Sequence, residues 1–318
     1  MGIKMSFFIS FVLVASTFLS AQSRPDDNTY VIKFPDKITA RIAIVNTANS
    51  FFINDEMSNL SYNLKPNTRE YLGFSVLFRS VELDFGFLPD FLKENEDNSN
   101  SRLFNLNLRM FLGQWMQTLD VYSQKGFFAE LENNIELAIP GVKTFKIGGS
   151  TSYILNPNFS FRAIGFQNEW QRKSAGSFIP RLFYYYTTFE IKDSGTSENA
   201  TSFDIAIAPS YHYNFVLKEH FILGLGTSIG VGYNSNDLGE QNISSVLFEY
   251  GGRAVLGYNS ETFFAGVNSS INFFEHNSDR SVRVDDTISF VEFYVGYRFK
   301  APKSFIRTAE KVNNALGL

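Results

Sequence analysis

The chain has 318 residues, of which 19% are charged and 16% aromatic, with 35 Phe, 15 Tyr and 2 Trp, so much aromatic surface must face something apolar. A formal net charge of −4 gives no electrostatic reason to expect nucleic acid or an anionic membrane surface as a partner. The absence of cysteine excludes disulfides, thiolate metal sites, a cysteine nucleophile and the acylation site of a bacterial lipoprotein.

Residues 1–21 read as a secretory signal. Lys4 gives a positive start, Phe7 to Leu19 is apolar, and Ser20-Ala21 offers small residues before Gln22, so cleavage is expected after Ala21. The apolar run, about 13 residues, falls short of the roughly 20 that a spanning helix needs. Residues 22–36 then read as a lead-in, 37–299 as a β-barrel and 300–318 as a tail.

From Ile38 onward the period is two. Val81, Leu83, Phe85 and Phe87 alternate with Glu82, Asp84 and Gly86, and Phe104, Leu106, Leu108 and Met110 alternate with Asn105, Asn107 and Arg109. Successive side chains of a strand point to opposite faces, so each run has one greasy face and one polar or small face. Phe203 to Leu217 continues the pattern, with Ser210 and His212 on the polar row. In Phe221 to Tyr233, Leu223, Leu225, Ile229 and Val231 oppose Gly224, Gly226, Ser228, Gly230 and Gly232. These glycines do not make a dinucleotide loop, because position 229 is Ile and no strand-to-helix turn follows. Val291, Phe293, Val295, Tyr297 and Phe299 close the series against Glu292, Tyr294, Gly296 and Arg298.

A soluble sandwich also alternates, with its apolar face as core. The uniform aromatic-rich face, the single charges on the other face and the signal favour an all-β, antiparallel transmembrane barrel in the outer membrane. Tyr233, Tyr258 and Tyr297, near strand ends, suit an interfacial girdle. Short turns are expected near Arg79-Ser80, Gly113-Gln114, Asn156-Pro157-Asn158, Lys218-Glu219 and Asn259-Ser260. Longer stretches are expected at Pro89 to Ser101, Asp193 to Ser202, Ser235 to Asn242 and Glu275 to Asp286. Strand directions do not balance between Gly126 and Thr201, so the count is about 12, with 10 to 14 open. Beyond Phe299, Phe305, Ala309, Val312 and Leu316 are spaced for a short amphipathic helix, either a periplasmic tail, a plug or a contact to another protein.

The run NPNFSFRAIGFQNEWQRKSAGS at 156–177, with VLGYN at 255–259, FFAGV at 263–267 and VGYRF at 295–299, resembles the family known as domain of unknown function 4421, from Bacteroidetes-type bacteria. The resemblance covers about Tyr30 to Phe299, and its most specific piece is Gln171 to Ser177. It implies an outer-membrane-type barrel without an assigned activity, and brings no catalytic residues.

Charges of both signs fall on the expected lumen face: Arg41, Glu82, Asp84, Arg109, Asp120, Arg162, Asp204, Glu249, Arg253, Glu292 and Arg298. Buried charges persist when paired, so mixed signs point to a salt-bridged interior rather than a one-sign selectivity ring. His212 and Ser210 share a face, but no acid is evident to orient a nucleophile-base pair; His220 and His276 read as surface residues. The acidic loop with Glu94, Glu96 and Asp97 lacks the spacing and glycine of a calcium loop. No metal or cofactor is expected; the partners expected are membrane lipid and, for insertion, the barrel-assembly machinery. The leading functional expectation is a non-catalytic scaffold or a narrow small-solute pore. A barrel enzyme acting on lipid or peptide and a secreted ligand-binding β protein are the alternatives.

Overall fold

A computed structural model describes residues 30–55, 60–66, 70–87, 102–131, 135–165, 168–193, 196–237, 242–277 and 282–316. The expected signal, most of the lead-in and the acidic loop with Glu94, Glu96 and Asp97 lie outside them. Among the described residues no helix is long and apolar enough to cross a membrane.

The strands in chain order are β1 (Val31–Lys33), β2 (Lys37–Asp55), β3 (Leu60–Pro66), β4 (Glu70–Phe78), β5 (Val81–Phe87), β6 (Arg102–Leu112), β7 (Trp115–Leu131) and β8 (Ile135–Tyr153). There follow a helical turn α1 (Phe161–Ile164), then β9 (Glu169–Gln171), β10 (Ala175–Ile179), β11 (Arg181–Asp193), β12 (Thr196–Ile207) and β13 (Ser210–Leu217). The chain ends with β14 (Phe221–Asp237), β15 (Asn242–Asn259), β16 (Phe263–Asn277), β17 (Val282–Lys300) and α2 (Lys303–Leu316).

The sheet is antiparallel and closes on itself through twelve strands, β2, β4, β5, β6, β7, β8, β11, β12, β14, β15, β16 and β17. Pairing of Lys37 with Lys300 puts both ends of the barrel wall at one rim, here the terminal rim. Two long strands are broken by proline, which lacks the N–H a ladder needs. Pro180 separates β10 from β11, and Pro209 separates β12 from β13, yet Ile207 stays outside and Ser210 inside. The tight turns expected at Arg79-Ser80, Gly113-Gln114, Lys218-Glu219 and Asn259-Ser260 all lie at the terminal rim, and Arg79, Gly113, Lys218 and Glu219 take positive φ there.

Four expectations about connections are corrected, two of them at Ser235 to Asn242 and Glu275 to Asp286, where β14 runs to Asp237, β15 starts at Asn242, β16 runs to Asn277 and β17 starts at Val282. Asp193 to Ser202 is not a long loop: β11 runs to Asp193 and β12 starts at Thr196. Asn156-Pro157-Asn158 does turn, but it opens an inward excursion of the chain rather than joining two wall strands. The imbalance after Gly126 resolves into one more crossing, since β7 and β8 are paired neighbours. Alternation hides it because a bulge at Gly126 (φ 90°) shifts the register: Gln124 faces inward before it, and Phe127 after it.

β5 and β6 are short, and beyond their far ends β3 pairs directly with β7. The ring there narrows to β2, β3, β7, β8, β11, β12, β14, β15, β16 and β17. This neck reverses the polarity of the body below it. In the body Ile42, Ile44, Leu225, Phe293 and Val295 are exposed outside, while Arg41, Glu82 and Glu292 are buried within. In the neck Phe51, Leu64, Phe127 and Val142 form a buried inner cluster with Phe189 against it, while Lys125 is exposed on the outer face and Thr188 and Thr287 line up with it. Phe52 is an exception, exposed on the outside of the neck. On β14 the exposed apolar row runs from Phe221 to Tyr233, long enough for a tilted strand to cross hydrocarbon.

Candidate functional site

The inward excursion after β8 packs inside the barrel beside the terminal rim, where Asn168 donates to Arg79 O at 2.8 Å and Trp170 to Glu219 O at 2.6 Å. Ser160 caps α1, its hydroxyl accepting from the Ala163 amide at 3.0 Å. Ile164, Ala163 and Phe159 are buried in one cluster with Ala43, Tyr71, Val255, Phe264 and Tyr294, so the excursion reaches strands all round the wall. Burying Phe159 and Ile164 contributes roughly 1.5–3 kcal/mol each. Polar ties fix the rest. Asn214 donates to Ser160 O at 3.1 Å and to Gln171 Oε1 at 3.0 Å, and Gln171 donates to Asn158 O at 2.8 Å. Ser160 also donates to the Glu169 carboxylate. The short β1 pairs with β9, so part of the lead-in belongs to this plug.

Arg162 and Arg298 belong here and not to the expected wall network. Arg162 sits on α1, pairs with Glu169 at 3.3 Å and donates to Arg79 O; burial pulls its pKa below the ordinary guanidinium value, with Glu169 opposing. Arg298 is on β17 but donates to Ser260 O at 2.7 Å and lies over the Phe34 and Phe264 rings. Sequence alternation placed Arg162 on a strand because an inward-packed plug has no period of its own.

Above the plug the wall charges meet. Arg41 reaches Glu292 and Asp84, both at 3.1 Å, and Ser75 at 2.8 Å. Arg109 reaches Glu82 at 3.0 Å and Asp84 at 2.9 Å. Asn268 donates to Glu292 at 2.9 Å and accepts from Arg253 at 3.1 Å, which extends the network to β15. Asp120 accepts from Tyr185 at 2.9 Å. Glu249 does not pair with Arg253 on its own strand; it accepts from Arg181 at 2.7 Å and Ser228 at 2.9 Å. Asp204, higher up, accepts from Asn234 at 2.6 Å and lies 3.4 Å from His276 Nε2.

Four members were not foreseen. Lys146 pairs with Asp286 at 2.9 Å, both buried, although Asp286 was expected in a loop. Arg181 follows Pro180, outside the recognised runs. His276, expected at the surface, faces the lumen beside Asp204 because β16 extends to Asn277. The Lys146 signal was available, since Phe145 and Ile147 flank it as outward residues; Asp286 was hidden because the polar outer face of the neck reads like a loop. His212 is buried with Phe161 edge-on at 5.2 Å, its Nδ1 makes no hydrogen bond among the described residues, and Ser210 donates instead to Ile179 O at 3.4 Å.

Between plug and neck lies a chamber of about 280 Å³, bounded by Phe161 and Ile164 below and walled by Arg41, Arg109, Asp120 and Arg253.

Comparison with curated proteins gives no match. Among solved structures the chain is similar to the outer membrane protease OmpT from Escherichia coli, at 9% identity over 84% of this chain and 98% of that one, TM-score 0.42. It is likewise similar to an outer membrane channel from Pseudomonas putida F1, at 10% identity over 87% and 100%, TM-score 0.42. Residues 25–299 match the family described as Domain of unknown function (DUF4421), and the chain belongs to that family.

Proposed function

We propose that this protein is a closed, non-catalytic barrel of the outer membrane, whose apolar belt lies in lipid and whose terminal rim and plug face the periplasm. The observation that carries the reading is that the lumen holds two packed clusters, the plug with Phe159 and Ile164 toward the terminal rim and Phe51 with Phe127 in the neck, with a chamber beside the plug. Short turns gather at the terminal rim, as they do on the periplasmic side of such barrels. Apolar constrictions oppose conduction by excluding water, so a pore would need both stoppers to move. A hydrolytic reading is less well supported, because Ser210 donates away from His212 and no carboxylate among the described residues bonds to the ring. The purified protein is expected to fractionate with outer membranes, to run faster on unboiled than on boiled gels, and to be silent in planar bilayers. A large, stable conductance from the intact chain overturns the closed reading; hydrolysis of a lipid or peptide, lost on His212→Ala, overturns the non-catalytic one.

A further inference from the structure

The chamber wall carries one guanidinium that the network leaves under-used. Arg253 donates to Asn268 at 3.1 Å and stands 6.0 Å from the Phe161 ring, and it has no carboxylate partner among the described residues. Arg41, Arg109 and Arg181 each hold at least one. Arg253 is partly buried and lines the chamber, so the guanidinium donors that Asn268 does not take are open to an anion there.

The surroundings are arranged as a recess. Arg253 lies across the ladder from Gly226 on one side and Ser270 on the other, and Gly226 lies across from His212. All four line the chamber, as do Asn272 and Phe290. Gly226 is required there: a Cβ at that position would stand 2.0 Å from His212 Nδ1, so the glycine makes room for the imidazole beside the guanidinium. His212 is buried, and its Nδ1 is without a hydrogen-bond partner among the described residues. Phe161, from the plug, closes the recess against both Arg253 and His212.

We infer that the recess at Arg253, floored by Phe161 and flanked by His212, Ser270 and Asn272, binds a small organic carboxylate with a flat apolar body. The carboxylate takes the unused guanidinium donors in a charge-assisted pair, with Ser270 and Asn272 as further polar partners. The apolar part packs against Phe161 and Phe290. This rests on the closed-chamber reading, because a wide open lumen would hold water and salt at the guanidinium instead.

Benzoate and its neutral isostere benzamide are the probes. Full-length barrel in detergent is equilibrated with each, and also refolded in the presence of each so that slow entry past the plug does not hide a site; binding is read by equilibrium dialysis and by the temperature of the gel-mobility transition. One benzoate per barrel, at least about tenfold tighter than benzamide and weakened about tenfold in Arg253→Gln, is the expected result, equivalent to about 1.4 kcal/mol. Equal binding of the two probes, or no saturable benzoate binding after refolding, overturns the site. If Arg253→Gln does not fold, the benzoate-benzamide ratio in the natural chain decides alone. A conducting barrel that still prefers benzoate removes the closure and keeps the site, whereas a silent barrel indifferent to both probes does the reverse.

Discussion

Arg41 joins three strands through its contacts to Glu292, Ser75 and Asp84, and it is buried. A buried ion pair adds little over an apolar substitute, but removing one partner strands the others' charge. Arg41→Ala is therefore expected to destabilise the barrel by about 3–5 kcal/mol, read as a lower urea midpoint for loss of the fast-migrating band. An unchanged midpoint would mean that water already solvates Glu292 and Asp84. Much of this network was legible: Arg41, Glu82, Asp84, Arg109 and Glu292 sit on the alternating polar rows, and sequence-adjacent strands do pair. The pairing of Glu249 was not, because Arg181 reaches it across β12 and β14, and such a crossing depends on barrel stagger, which alternation does not record. Gly226 shows the same limit. As a lumen position it reads as tolerant, yet a Cβ there would strike His212, so Gly226→Ala should shift the imidazole and lower stability although it adds one methyl group.

At the scale of the element, one strand holds two opposite polarity codes. On β17, Phe293 faces out from the body and is 60% exposed, whereas Thr287 lies on the same face within the neck. Both obey a period of two, and a simple alternation count reads them as one continuous strand or cuts the neck off as loop. That is why Ser235 to Asn242 and Glu275 to Asp286 were expected as long external loops, when β14 to β17 run well into them. If the belt lies in lipid, Phe293→Arg should cost roughly 2–4 kcal/mol and Thr287→Arg about 0–1 kcal/mol. Equal costs in a refolding titration into lipid vesicles would place the boundary elsewhere. The bulge offers a second test. Gly126 holds φ 90°, a backbone conformation that a side chain disfavours, so Gly126→Val should cost about 1–2 kcal/mol and loosen the β3 to β7 pairing of the neck.

For the whole molecule, the proposed closure rests on two stoppers built by different physics. The plug is held by side-chain hydrogen bonds from Asn214, Gln171 and Asn168 and by apolar contacts to the wall, so it is a discrete piece of chain. The neck cluster is part of the wall itself, with Phe51 edge-on to Phe189 at 5.1 Å and Phe127 tilted at 6.5 Å. The two clusters share no residue, and the chamber is lined by Phe161 and Ile164 of the plug. Each should therefore block ions alone. Replacing residues 158–172 by a short Gly/Ser turn is expected to leave the barrel silent in planar bilayers, because the dry neck still excludes water. Phe51→Ala with Phe127→Ala is expected to be silent too, since the plug remains. Only the two lesions together should open a channel, and a cation current through it should fall when Glu82→Gln with Asp84→Asn leaves Arg109 unpaired and Arg41 with Glu292 alone. A conductance from the plug replacement alone, in protein that still shows the gel-mobility shift, would show that the neck does not seal and that the plug is the single gate.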